Sequence, residues 1–152
     1  MSRAERAKEY FEQGYNCAQA VALAFEKETG LERTALLNAS LPFGGGLGRL
    51  RLTCGAVSGM ALVYGLVCGA GELSAENKKQ TYLAIQELTA KFKAENGSLL
   101  CGDLLTGANL SFGVGGEAER RTEEYYKKRP CAELVYTAAK ILEEYLLEKG
   151  VL

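Results

Sequence analysis

Residues 52–71 read LTCGAVSGMALVYGLVCGAG, a run without a single charged side chain. As a helix it is long enough to cross a bilayer, which takes about 20 apolar residues. It also carries Gly55-x-x-x-Gly59 and Gly65-x-x-x-Gly69, the spacing that lets helix backbones touch. Its many glycines, together with Thr53 and Ser58, keep its hydrophobicity modest, and no aromatic belt flanks it. The stretch therefore reads as the buried central helix of a bundle, without membrane insertion. Gly55 and Gly59 each cost about 1 kcal/mol of helix stability relative to alanine. A helix that accepts this cost needs a close contact on that face, either another helix or a prosthetic group beside Cys54.

Outward from this run, helical periodicity dominates. Ala4, Ala7, Tyr10 and Phe11 line one face of a first helix that ends near Gly14. Asn16 is a good N-cap for a helix from Cys17 to Thr29, stopped by Gly30. A short helical turn is expected over Arg33–Ala39. Thr53 is expected to cap the central helix from Cys54, and Ser74 to cap a helix reaching Asn96 with Tyr82, Ile85, Leu88 and Phe92 inward. Cys101–Leu105 reads as one helical turn closed by Gly107. Glu117–Lys128 reads as a polar surface helix, with Lys127-Lys128-Arg129 its solvated end. Pro130 suits the first position of a last helix, Cys131–Lys149, with Leu134, Val135, Ala138, Ile141, Leu142 and Tyr145 inward. No alternating run supports a strand. The expectation is an all-α chain, residues 1–152 as one domain. It would be a bundle of about five to seven helices with glycine-rich loops at Pro42–Arg49 and Ser111–Gly116.

Composition narrows the function. Net charge is −1, which gives no electrostatic footprint for nucleic acid. Histidine is absent, which excludes a Ser-His-Asp triad, a Cys-His dyad and every His-containing zinc site. Met1–Lys8 is charged and has no signal-peptide core, so a cytoplasmic location is expected. In a reducing compartment the five cysteines are not expected to be structural disulfides.

Four of these cysteines fall where helices begin. Cys17 follows Asn16, Cys54 follows Thr53, Cys101 opens a short turn and Cys131 follows Pro130. Free amides and the helix dipole favour a thiolate there, which makes a better nucleophile and a better metal ligand. Cys68 sits at the opposite end of the central helix, where the dipole disfavours a thiolate, and reads as a small core hydrophobe. No C-x-x-C occurs, and the gaps match no zinc ribbon, thioredoxin motif or ferredoxin run. Any shared site must be assembled by folding.

The loop Phe43–Arg49 lacks the spacing and lysine of a P-loop. It reads as a close-packed loop whose glycines Gly44, Gly45 and Gly46, with Gly55, line a cofactor or thiolate near Cys54. Arg49 and Arg51 read as solvated. Asp103 reads as an ordinary helix-start aspartate.

These segments resemble a family. Cys54-Gly55-Ala56-Val57-Ser58-Gly59 is similar to the CGAxxG core of the redox-active proteins known by the cysteine pattern C_GCAxxG_C_C. Asn16–Val21, Phe43–Gly48, Cys101–Leu105 and Pro130-Cys131 resemble the family's other segments in the same order. The resemblance covers nearly the whole chain and implies that Cys17, Cys54, Cys101 and Cys131 are the functional positions, with Cys68 outside the pattern. A related domain occurs in split-Soret cytochromes, where cysteines accompany an iron–sulfur centre. The haem part does not carry over, because this chain has no histidine and no C-x-x-C-H.

The expected function is redox chemistry at these four cysteines. The leading form is an iron–sulfur cluster or other thiolate metal site used in electron transfer with a redox protein partner. The alternatives are a metal-free dithiol/disulfide couple, a four-thiolate zinc site, or a non-catalytic helical module with buried cysteines. Whether the chain is an enzyme stays open, and a homodimer is compatible with its close-packing glycines.

Overall fold

The uncharged run folds as a helix that stops well short of the run itself, and the rest of the chain wraps around it. The computed structural model describes all 152 residues. Nine α-helices follow in order: α1 Arg3–Glu12, α2 Cys17–Ala24, α3 Glu26–Thr29, α4 Arg33–Ser40, α5 Gly55–Cys68, α6 Ala75–Asn96, α7 Cys101–Gly107, α8 Glu123–Lys128 and α9 Cys131–Glu148. There is no strand, only one isolated antiparallel bridge between Thr53 and Leu100. No helix is long and apolar enough to cross a membrane.

The caps are mostly those the sequence dictates. Ser2 and Asn16 each close a capping box, with Glu5 and Gln19 respectively. Ser74 accepts from the Asn77 amide at the start of α6. Gly30 and Gly97 end their helices in the left-handed conformation. Thr53 is not the cap of α5. It lies in the bridge to Leu100, and Cys54 itself takes the N-cap position, one residue before the helix.

The core gathers Phe11 of α1, Val21 of α2, Leu36 of α4, Met60 and Val63 of α5, Leu88 and Phe92 of α6, and Val135, Leu142 and Leu146 of α9, together with Phe25. Each large side chain so buried contributes about 1.5–3 kcal/mol. On α6 only Ala84, Leu88 and Phe92 are fully buried. Tyr82, expected inward, is 59% exposed, because α6 packs along one narrow stripe and its first half faces solvent. The polar helix expected from Glu117 begins only at Glu123, capped by Thr122, and residues 117–122 form an irregular strap.

The α5–α2 contact accounts for the helix glycines. A Cβ on Gly59 would lie 2.8 Å from the Ala18 carbonyl oxygen. One on Gly55 would lie 3.0 Å from the Phe43 carbonyl oxygen and 3.1 Å from Cys17 Cβ. The close contact is therefore a neighbouring helix. Gly65, further along, faces open space.

Candidate functional site: a cavity shared by four cysteines

Loop hydrogen bonding sets the first two cysteines side by side. The Cys54 amide donates to the Leu99 carbonyl at 2.7 Å, and the Cys101 amide donates to the Leu52 carbonyl at 2.6 Å. The glycine loop folds back on this bridge. The Arg51 and Leu52 amides donate to the carbonyls of Gly45 and Gly46. Gly46 has φ +76°, and a Cβ there would meet Leu52 N at 2.6 Å and Cys101 Cβ at 2.7 Å, so only glycine fits. The Gly44 amide is engaged by Leu41, whereas no backbone carbonyl takes the Gly45 and Gly46 amides.

The other two cysteines arrive from α2 and α9. Cys17 is held by the Asn16 capping box, and the Asn16 amide group also donates to the Leu41 carbonyl at 3.0 Å. Cys131 opens α9 after Pro130. Both thiols line the same cavity, close enough for each to shift the other's ionisation.

All four cysteines line one cavity of about 350 Å3, with Gly44, Gly45, Gly46 and Gly55 at its rim. Cys68 does not reach it and lies beside Tyr64 near the other end of α5. Cys54 and Cys131 are buried, and Cys17 and Cys101 are half-buried. All five cysteines are free thiols. No three thiol or carboxylate side chains gather closely enough to hold a single metal ion.

The cavity wall holds arginines that the sequence reading placed on the surface. Arg51, expected in solvent, has a side chain only 8% exposed. It reaches Cys101 Sγ at 3.6 Å, donates to the Gly113 carbonyl at 2.8 Å and stacks on Phe112. Arg129, expected at a solvated helix end, is 7% exposed and lies over Tyr125. Arg49 is 17% exposed and holds the strap through the Gly115 and Glu117 carbonyls. Arg121 donates to the carbonyls of Phe11 and Tyr15, both at 3.1 Å, and its guanidinium sits 4.3 Å from the Phe11 ring centre. These arginines tolerate partial burial because they are planar and weakly hydrated and can satisfy several carbonyls and rings at once. Four of the chain's eight arginines and none of its ten lysines line the cavity. Asp103 lies outside, bonded to Ser98.

Proton affinities differ sharply around the cavity. The neighbouring Cys17 thiol holds the Cys131 thiol below its ordinary value against burial, helped by Arg129, Arg121 and Arg51. The neighbouring Cys131, then burial, pushes Cys17 well up. Cys131 is therefore the more easily ionised of the two. Burial pushes Cys54 up to about 12, partly offset by the first-turn amides of Ala56 and Val57. Burial raises Cys101 too, opposed by Arg51. Dipoles at a helix start thus do not suffice to lower a thiol; Cys131 needs the Cys17 thiol and the arginines beside it.

Residues 15–145 match the family described as "Putative redox-active protein (C_GCAxxG_C_C)". The chain belongs to this family. No curated protein and no solved structure matches it. Within this redox family, the segments of the motif are those that build the cavity: the Cys54–Gly59 core packs α5 on α2, and the glycine loop closes over Cys101.

Proposed function

We propose that the chain is a thiol-based redox protein in which Cys17 and Cys131 form a dithiol/disulfide couple. The single observation behind this reading is that Cys17 and Cys131, both free thiols at helix starts, line one cavity and shift each other's proton affinity in opposite directions. That pairing suits an attacking and a resolving cysteine. The Cys131 thiolate attacks one sulfur of a partner disulfide, forms a mixed disulfide and releases one partner thiolate. Cys17 then attacks the Cys131 sulfur, closes the internal disulfide and releases the second partner sulfur, which takes the Cys17 proton. Two electrons pass from the dithiol to the partner disulfide. Such a couple belongs in a reducing compartment such as the cytoplasm, where free thiols persist. The test is mass spectrometry of the full chain after incubation in glutathione redox buffers. A reversible Cys17–Cys131 disulfide is expected; a different pairing, or none, would overturn the reading.

A second reading is favoured by a different observation, the convergence of all four cysteines on one cavity walled by arginines. Unlike a single ion, a polynuclear iron–sulfur cluster takes thiolates spread around a cavity, and its negative charge suits guanidinium neighbours. Cys17, Cys54, Cys101 and Cys131 would hold it, with the Gly45 and Gly46 amides nearby. The cluster would supply one-electron transfer. Its assembly must displace the proton of Cys54, held up to about 12. Anaerobic purification with a visible spectrum and iron and sulfide analysis separates the readings. Stoichiometric iron and sulfide, lost in a Cys54→Ser variant, supports the cluster; a colourless protein with titratable thiols supports the couple.

A further inference from the structure

The cavity wall is out of charge balance. Arg49, Arg51, Arg121 and Arg129 line it, and Glu119 is the one acidic residue among the lining side chains. Glu119 serves three of them: it pairs with Arg129, lies 3.5 Å from Arg49 and lies 3.9 Å from Arg51. Arg121 has carbonyls and rings around it but no carboxylate partner. Even with Cys131 as a thiolate, four positive groups face two negative ones. Partly buried cations are poorly screened by salt, so this surplus favours an anion in the cavity.

Glu119 itself has the marks of a replaceable occupant. Its side chain is 43% exposed, although its arginine partners are largely buried. It sits on the irregular strap of residues 117–122, which carries no helical hydrogen bonding of its own. The strap is fastened by Arg49 on one side of it and Arg121 on the other, so the carboxylate can leave without unfastening the backbone.

We propose that the arginine wall binds the anionic end of the protein's oxidant, a small disulfide bearing carboxylates, and that Glu119 is a built-in competitor which that anion displaces. The disulfide half rests on the Cys17–Cys131 reading; the anion half stands on the wall alone. In the step, the Cys131 thiolate attacks one sulfur of the bound disulfide and expels a small thiolate. Cys17 attacks the resulting mixed disulfide, giving the internal disulfide and a second small thiol that carries the Cys17 proton. One small disulfide is reduced to two thiol products and one protein dithiol is oxidised.

The experiment compares three probes of similar size on the reduced full chain: dithiodipropionate (dianionic), bis(hydroxyethyl) disulfide (neutral) and cystamine (dicationic). Loss of protein thiols is followed at low salt, and binding of adipate, an unreactive dicarboxylate, is followed by calorimetry. The dianion is expected to react about tenfold or more faster than the neutral probe, with cystamine slowest. Glu119→Gln should widen the dianion-to-neutral ratio about three- to tenfold and tighten adipate, whereas Arg129→Gln should shrink both. Using the ratio cancels any change in thiol reactivity that either variant causes. Equal rates for all three probes, or adipate that does not bind, would overturn the anion site. A narrower ratio in Glu119→Gln would make Glu119 a brace and overturn its role as competitor. Adipate binding without oxidation by any probe would overturn the dithiol reading and keep the anion site.

Discussion

Cys54 and Cys68 sit at the two ends of α5, and only one of them belongs to a site. Cys54 at the N-cap faces the cavity with Cys17, Cys101 and Cys131. Cys68, in the last turn, meets Tyr64 and no arginine within its pocket. Burial raises the thiol at both ends. Position on the helix therefore does not by itself make a redox cysteine. What separates the two ends is the company that the loops bring: a glycine turn, a bridge to α7, and a strap that presses arginines inward.

The largest effect expected from this contrast is on thiol chemistry. Cys131→Ser removes the attacking thiolate, so formation of the internal disulfide from the reduced chain should be abolished. Cys68→Ser should leave its rate and yield unchanged, as read by gel shift with a thiol-reactive polymer. A Cys68→Ser chain that fails to oxidise would break the contrast between the ends.

The next effect is on stability, and its sign should reverse along one helix. Gly59→Ala places a Cβ against the backbone of Ala18 and should destabilise by about 1–3 kcal/mol. For a chain of this size that lowers Tm by about 2–4 °C per kcal/mol. Gly65→Ala meets open space within the same helix and should stabilise by about 0.5–1 kcal/mol. Chemical denaturation of both variants checks the pair. Equal effects would mean that α5 does not touch α2 through its glycine face.

These contrasts show what could be read from the chain alone. Helix periodicity, the Asn16 and Ser74 caps and the stops at Gly30 and Gly97 were legible because each is a local pattern with a local cause. The cysteine segments were legible by resemblance. Arg51, Arg129 and Glu119 were not, because a charged residue on a polar stretch looks solvated until a fold covers it. The strap at residues 117–122 has helical composition, yet it is drawn out by Arg49 and Arg121, whose partners lie up to 110 residues away in the chain. Tyr82 was misplaced for the opposite reason: its spacing fits the inner face, but too little of the core lies along the first half of α6 to cover it.

A smaller effect concerns pH. Alkylation follows the thiolate, so its rate rises with pH through the midpoint of each thiol. Cys131 should reach half its maximal rate below the ordinary thiol value, because Cys17 and the arginines favour its ionised form. Cys68 should do so above it, because burial favours the neutral form. Cys17→Ala removes the neighbouring thiol and any donor at that position, so the Cys131 midpoint should move upward. Peptide mapping after pulsed iodoacetamide at stepped pH reads both sites in one sample. An unmoved Cys131 midpoint in that variant would leave the arginines, rather than the sulfur pair, as the cause.

The smallest effect compares two helix caps. Asn16 caps α2 at the cavity, and Ser74 caps α6 away from it, and each side chain accepts from an amide three residues on. Losing either to alanine should cost about 1 kcal/mol. The costs are alike because the local job is the same, an orphan amide satisfied at a first turn. The chemistry should differ. Asn16 also donates to the Leu41 carbonyl and stands against Gly44, so it fixes where Cys17 sits relative to the glycine loop. Asn16→Ala should therefore slow closure of the Cys17–Cys131 disulfide severalfold as well as lowering stability, whereas Ser74→Ala should change stability alone. If both variants lose the same stability and neither alters disulfide closure, then the capping box at Asn16 serves the helix only. The position of Cys17 would then be set by the packing of Gly55 and Gly59 on α2 instead.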